Sequence, residues 1–199
     1  MEPALSSGTA AALTDLLRIV HLAAAAIGIG AMVATDFTML RLAHRPIGPR
    51  HWRALEAAHL LIAPALLVAW ASGMVLAFQA TGGNPAAMTP KLAIKLGVVT
   101  LLTLDAWYIA KHIRPIMEEA GGIRLIELPF LQRLALGIAA ALSVAGWCSA
   151  LLLGGSEMLQ GAGFTLLLPL IGAIYGIALT VAVVFALRLG LVQRRIRTF

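Results

Sequence analysis

"RIVHLAAAAIGIGAMVATDFTML", residues 18–40, is apolar almost throughout, yet it keeps His21 near one end and Asp36 near the other. Such a run is long enough to cross about 30 Å of hydrocarbon as a helix. An ionised side chain at the centre of a span costs about 2.5–3.5 kcal/mol on insertion scales, so unpaired ones are seldom kept. The reading of this stretch decides the fold class, and its two polar residues frame the question of function.

The rest of the chain agrees with it. Of 199 residues, 60% are hydrophobic and 12% charged, and the mean hydropathy is +0.92. A soluble domain of this length carries about twice that share of charge. Five spans are predicted, at about 17–41, 54–79, 91–113, 132–154 and 163–188, separated by segments punctuated with Pro and Gly. The expected architecture is all-α: one polytopic helical bundle over residues 1–199, in a bacterial-type inner membrane crossed several times. The N-terminal "MEPALSSGTAAALTD" lacks the basic n-region of a cleavable signal peptide, so the first span is expected to stay. Cys148 is the only cysteine, which excludes an internal disulfide or a paired-cysteine metal site.

The formal charge of +6, taken alone, suggests nucleic acid, but its distribution is that of a membrane protein. Twelve basic residues fall on one side: Arg41, Arg45, Arg50, Arg53, Lys111, Arg114, Arg124, Arg133, Arg188, Arg194, Arg195 and Arg197. Only Arg18, Lys91 and Lys95 fall on the other. The positive-inside rule puts the N-terminus outside and the C-terminus in the cytoplasm, with anionic headgroups as the partner of the basic side. No nucleic-acid partner is expected.

This topology sorts the ionisable residues into two layers. The inner layer holds Asp36, Glu56, His59, Asp105, Tyr108 and His112. Glu56 and His59 share a face at i,i+3, and Asp105, Tyr108 and His112 form a stripe at i, i+3 and i+7. Acids and imidazoles from three helices suit a proton relay, a second metal site, or structural pairing with Arg41 and Arg53. The outer layer holds His21 and Lys95, with Lys91 a turn further out. A neutral imidazole beside an apolar slot is a haem ligand in membrane cytochromes, and Ala25, Gly28 and Met32 below His21 would leave room for a porphyrin edge. A nearby lysine suits a propionate or a carboxylated substrate. His21 and His59 lie at opposite ends of the bilayer, roughly 20 Å apart at 1.5 Å per residue, and cannot share one haem. His44 and His51, in a basic loop without acids or cysteines between them, read as solvated.

"LRIVHLAAAAIGIG", "EAAHLLIAPALLVAWASGMVLA" and "MTPKLAIKLGVVTLLTLDAWYIAKHIRPIMEE" together resemble HemJ-type protoporphyrinogen oxidases and related CopD-like membrane proteins over roughly residues 15–120. The resemblance implies that His21 ligates haem b iron, and that Lys95, before Leu96, matches the family's Lys-Leu. It departs in "DAWY", where that family has Tyr-His, and in a fifth span where four are usual.

These residues support two functional expectations. One is a haem-b membrane redox protein, possible substrates being a porphyrin or another anion, with Lys95 and Asp105 as candidate catalytic residues. The other is a proton- or cation-coupled transporter component, of copper type if it follows the resemblance, or an accessory subunit. Five spans are few for enclosing a substrate path, so a homodimer or a partner membrane subunit is expected.

Overall fold

Helices are the only way an unpaired chain segment can satisfy its backbone in hydrocarbon, and the computed structural model of the chain is built from them. It describes residues 2–43, 45–119 and 121–197, with side chains from residue 8 to residue 191, so His44 and the side chains of Arg194, Arg195 and Arg197 lie outside the description. The elements are α1 (Glu2–Leu42), α2 (Pro49–Thr81), α3 (Pro90–Tyr108), a π-helical turn (Ile109–Ile113), α4 (Arg114–Glu119), α5 (Phe130–Gly155) and α6 (Phe164–Arg197). The π turn joins α3 to α4, so these count as one span. Among the described residues, five helices are long and apolar enough to cross a membrane: Gly8–Leu42, Pro49–Thr81, Pro90–Glu119, Phe130–Gly155 and Phe164–Leu191. The chain is a multi-pass helical membrane bundle.

The predicted loops match the interruptions. α2 closes on Gly82, whose φ of +60° lets its N–H turn back to Gln79 O and Phe78 O. Thr89 caps α3 by accepting from Leu92 N. Pro64 and Pro169 both lie inside helices.

The basic loops meet at one end. Ile47 N donates to Ile123 O (3.2 Å), Gly122 N to Ile47 O (3.1 Å) and Ile126 N to Ala43 O (3.3 Å), tying the first loop to the third. Arg133, at the start of α5 and 7% exposed, donates from Nη1 to Ile126 O at 2.8 Å. Its guanidinium also lies against Gly190 near the end of α6. Arg41, Arg45, Arg50, Arg53, Lys111, Arg114, Arg124, Arg133 and Arg188 therefore cluster at one end of the bundle, and Lys91 and Lys95 at the other.

Two helix groups make up the bundle. α1 packs along α2, while α5 packs between α3 and α6. The groups join through Met32, Leu66, Leu102 and Trp147, from α1, α2, α3 and α5. Trp147 seats its indole against Gly28 of α1, and Leu102 seats its side chain against Gly146 of α5. Glycine permits these approaches because a Cβ at either place would occupy its neighbour's volume. A polar tie, Trp70 Nε1 donating to Thr103 Oγ1 at 2.8 Å, links α2 to α3.

Gly28→Val and Gly146→Val should each destabilise the protein in detergent by about 1–3 kcal/mol, through overpacking. Gly97→Ala and Gly172→Ala, where an added methyl meets nothing within 4 Å, should leave stability unchanged. Thermal unfolding followed by circular dichroism checks the series; equal melting of all four variants would remove the glycines as the determinant of helix approach.

Candidate functional site

At the end of the bundle opposite the basic loops, the first turns of the apolar part of α1 face α2. His21 Nδ1 lies 3.0 Å from Ser72 Oγ, and Gly73 makes room for the ring, since a Cβ there would stand 3.1 Å from His21 Cε1. Ser72, 3% exposed, donates its own hydroxyl to Val68 O at 2.6 Å. With its proton on Val68 O, that oxygen is left to accept from Nδ1–H, the tautomer in which Nε2 carries the lone pair. Lys95 of α3 is close enough for its charge to act on the imidazole, and its ammonium lies beside Gly154 of α5. Lys91, a turn further out, is occupied in donating to Ser156 O at 2.7 Å.

The face below His21 differs from expectation. Gly28, expected to leave room for a porphyrin edge, takes the Trp147 ring instead, and Met32 is 5% exposed within the same apolar cluster. The volume that small residues opened on α1 is filled by an indole from α5, so these residues do not form the flat slot a haem needs. Among the described residues, no three His, Cys, Asp or Glu side chains come together as a metal cluster.

The predicted inner layer separates into three parts. The first is acidic and deep. Asp105 is 6% exposed, and its Oδ1 has no hydrogen-bond partner among the described residues; the same holds for Asp36 Oδ2. Asp36 lies one turn beyond Met32 and Asp105 one turn beyond Leu102, so the shared apolar cluster brings the two acids to one level. They are near enough for their charges to act on each other. Arg41, expected to neutralise an acid here, instead stacks its guanidinium 4.1 Å above the Phe37 ring. Tyr175 of α6 joins this group: its buried hydroxyl also lacks a partner among the described residues, and Asp105 is within electrostatic range. The spacing arguments do not reach Tyr175. The available signal is a tyrosine deep within a span, since tyrosines in membrane helices favour the two interfaces.

The second part is an ion pair at the rim of a cleft. Arg114 Nη2 donates to Glu56 Oε1 at 2.9 Å and Arg114 Nε to Glu118 Oε1 at 2.9 Å. Glu56 thus pairs with Arg114 rather than with the expected Arg53. A cleft of about 90 Å³, lined by Thr35, Glu56, His59 and Arg114 together with apolar side chains, opens beside the pair. It is small for an organic ligand, whose sites run to about 300–1,000 Å³, and admits a few waters. Thr35 brings it to the residue adjoining Asp36.

The third part is exposed. Tyr108 and His112 stack on each other with centroids 5.0 Å apart, Trp107 meets His112 edge-on at 6.1 Å, and Lys111 Nζ sits 4.9 Å from the Trp107 centroid. Tyr108, the last residue of α3, is 39% exposed, and His112 does not return to the Asp105 face as its i+7 spacing suggested. An i+7 spacing returns to one face only in an α-helix, and the π turn at Ile109–Ile113 takes up an extra residue, which retards the rest of the span by about 100°.

Comparison with protein-family models, with curated proteins and with solved structures finds no match for this chain.

Ser72→Ala should release Nδ1 of His21 and raise the population of the Nε2–H tautomer, as read by ¹⁵N shifts of labelled histidine in detergent. Unchanged tautomer populations would mean that Ser72 does not orient the ring.

Proposed function

We propose that this chain is a proton-coupled membrane transport component whose working group is the carboxylate pair Asp36–Asp105. The single observation that carries this reading is that Asp105 is 6% exposed, at membrane depth, with an oxygen lacking any partner among the described residues. An acid that merely locks helices together would be paired, because an unsatisfied charge in hydrocarbon costs several kcal/mol. A second carboxylate within electrostatic range makes the arrangement costlier still unless a small cation lies between them, and the smallest is a proton.

The physical parts of such a device are a buried acid pair, access from one face, and a means of controlling that access. The cleft lined by Thr35, Glu56 and His59 supports access from the basic end, which faces the cytoplasm in this reading. The Arg114–Glu56 ion pair stands at its rim, where breaking and remaking it costs little, about 0.2–1 kcal/mol for an exposed pair. The carboxyls hold the proton, Thr35 and His59 line the way in, and the surrounding Met32, Leu102 and Trp147 keep bulk water out. At Gly28 the Trp147 ring occupies the space expected for a porphyrin edge, which favours the acid-pair reading over the haem-based redox one.

Reconstitution in proteoliposomes containing a pH-sensitive dye tests this. Wild-type protein should admit protons under an imposed potential faster than protein-free vesicles. Asp105→Asn and Asp36→Asn should each slow entry by about 10²-fold or more, the typical contribution of a positioned proton-transferring group, without loss of insertion or melting temperature. Entry by both Asn variants at the wild-type rate would overturn the reading; Na⁺- or K⁺-dependent rather than pH-dependent flux would assign the pair to a metal cation.

A further inference from the structure

Beyond Tyr175, a further buried hydroxyl lies toward the end of the bundle that the acid pair and its cleft leave unused. Ser149 of α5 is fully buried, and its Oγ, like the hydroxyl of Tyr175, has no hydrogen-bond partner among the described residues. A mid-helix serine ordinarily donates back to a carbonyl one turn earlier, as Ser72 does to Val68 O. Ser149 does not, in a region where an unmade hydrogen bond costs about 1–3 kcal/mol.

The packing sets their order along the membrane normal. Leu102 of α3 is level with Gly146 of α5, since the one seats against the other. Ile94 and Val98 of α3 pack with Leu153 of α5 and with Leu167 and Ile171 of α6, with Tyr175 at the edge of the same cluster. Ser149 falls between the Gly146 and Leu153 levels, and Tyr175 one turn beyond Ile171. Lys95 and Asp105 lie on the same stripe of α3 as Val98 and Leu102, at i, i+3, i+7 and i+10, and Lys95 reaches the level of Gly154. From one end to the other the polar groups therefore run Lys95, Ser149, Tyr175, Asp105, Asp36 and the cleft at Thr35.

We propose that Ser149 and Tyr175 are relay groups that extend the acid pair along the α3–α5–α6 seam toward Lys95, making one proton path from end to end of the bundle. This rests on the proton-coupled reading of the acid pair. In one passage the Asp105 carboxylate takes the proton of the Tyr175 hydroxyl. The phenol oxygen takes one from the Ser149 side, where bridging water is the usual companion of an unpaired buried hydroxyl. Each oxygen gives up one proton and receives one, so neither hydroxyl changes charge. The proton that enters from the Lys95 end leaves through Asp36 and the cleft, driven by the transmembrane proton gradient. Lys95, whose charge repels cations at that mouth, sets how readily protons enter.

The same vesicle assay separates the two claims. Tyr175→Phe and Ser149→Ala should each slow proton entry about tenfold or more. The double variant should be slower than either single by far less than the product of the two effects, because delays in series add. Thr100→Ala, at an exposed hydroxyl of α3 that donates to Leu96 O at 2.8 Å, should have the wild-type rate. Isotope-edited infrared difference spectra should still show the Asp105 carboxyl changing protonation in Tyr175→Phe, since the relay variants leave the acid pair in place. If Asp105→Asn blocks entry while Tyr175→Phe and Ser149→Ala keep the wild-type rate, the relay is overturned and the acid pair stands. If wild-type vesicles take up protons no faster than protein-free ones, both claims fall.

Discussion

The indole of Trp147 lying on Gly28 is the contact through which the two halves of this bundle find each other. α1 and α2 form one group and α3, α5 and α6 another, and each is largely satisfied by its own packing. At membrane depth they meet in a small apolar knot, Met32, Leu66, Leu102 and Trp147, with one side chain from each of four helices, and toward the basic end in a second cluster that includes Leu42, Ile113, Met117 and Ala139. In lipid there is no hydrophobic force to press helices together, so shape at close range has to serve. Glycine supplies the depression and tryptophan the projection, and Leu102 against Gly146 repeats the device within the second group. Asp36 belongs to one group and Asp105 to the other, so the distance between the acids is set by how this knot closes.

That dependence explains why a site so sparing in polar atoms can be specific. The acids hold no arginine among the described residues, and Arg41, on the same helix as Asp36, places its guanidinium over the Phe37 ring. At the rim of the cleft the opposite choice has been made: Glu56 is shared with Arg114, which also reaches Glu118. The rim carries its ion pair where water reaches, and the buried acids stand without one among the described residues. The His21–Ser72 contact is a third case, a buried hydroxyl shared between an imidazole and a carbonyl of its own helix.

The five spans were legible because hydrocarbon thickness imposes a length and an apolar composition that local sequence displays directly. The sidedness of the basic residues was legible for a similar reason, and the backbone bonds between the first and third loops place those residues together. Which small residue meets which large one was not legible. Gly28 reads equally well as space for a ligand or for a neighbouring side chain, and only the register between α1 and α5 decides. The acids' lack of arginine partners was hidden too, because Arg41 and Arg53 lie at the same end of the bundle as the acids, and side-chain direction decides whether they meet. Ser149 and Tyr175 escape notice as single hydroxyls in apolar runs. Their meaning comes from neighbours on other helices.

The π turn at Ile109–Ile113 was likewise invisible in the pattern of apolar residues. An uninterrupted α-helix would carry Arg114, nine residues beyond Asp105, to the opposite face. The extra residue in the wide turn takes back about 100° of that rotation, and Arg114 comes round to Glu56 of α2. The third span is thus two screws of different phase on one axis. Its upper thread is locked to α5 by the Leu102–Gly146 seat, and its lower thread is indexed to α2. A change in the phase of the lower thread would re-aim the arginine at the cleft while leaving the acid beneath it untouched, so the rim and the depth of this protein can be tuned separately along one continuous helix.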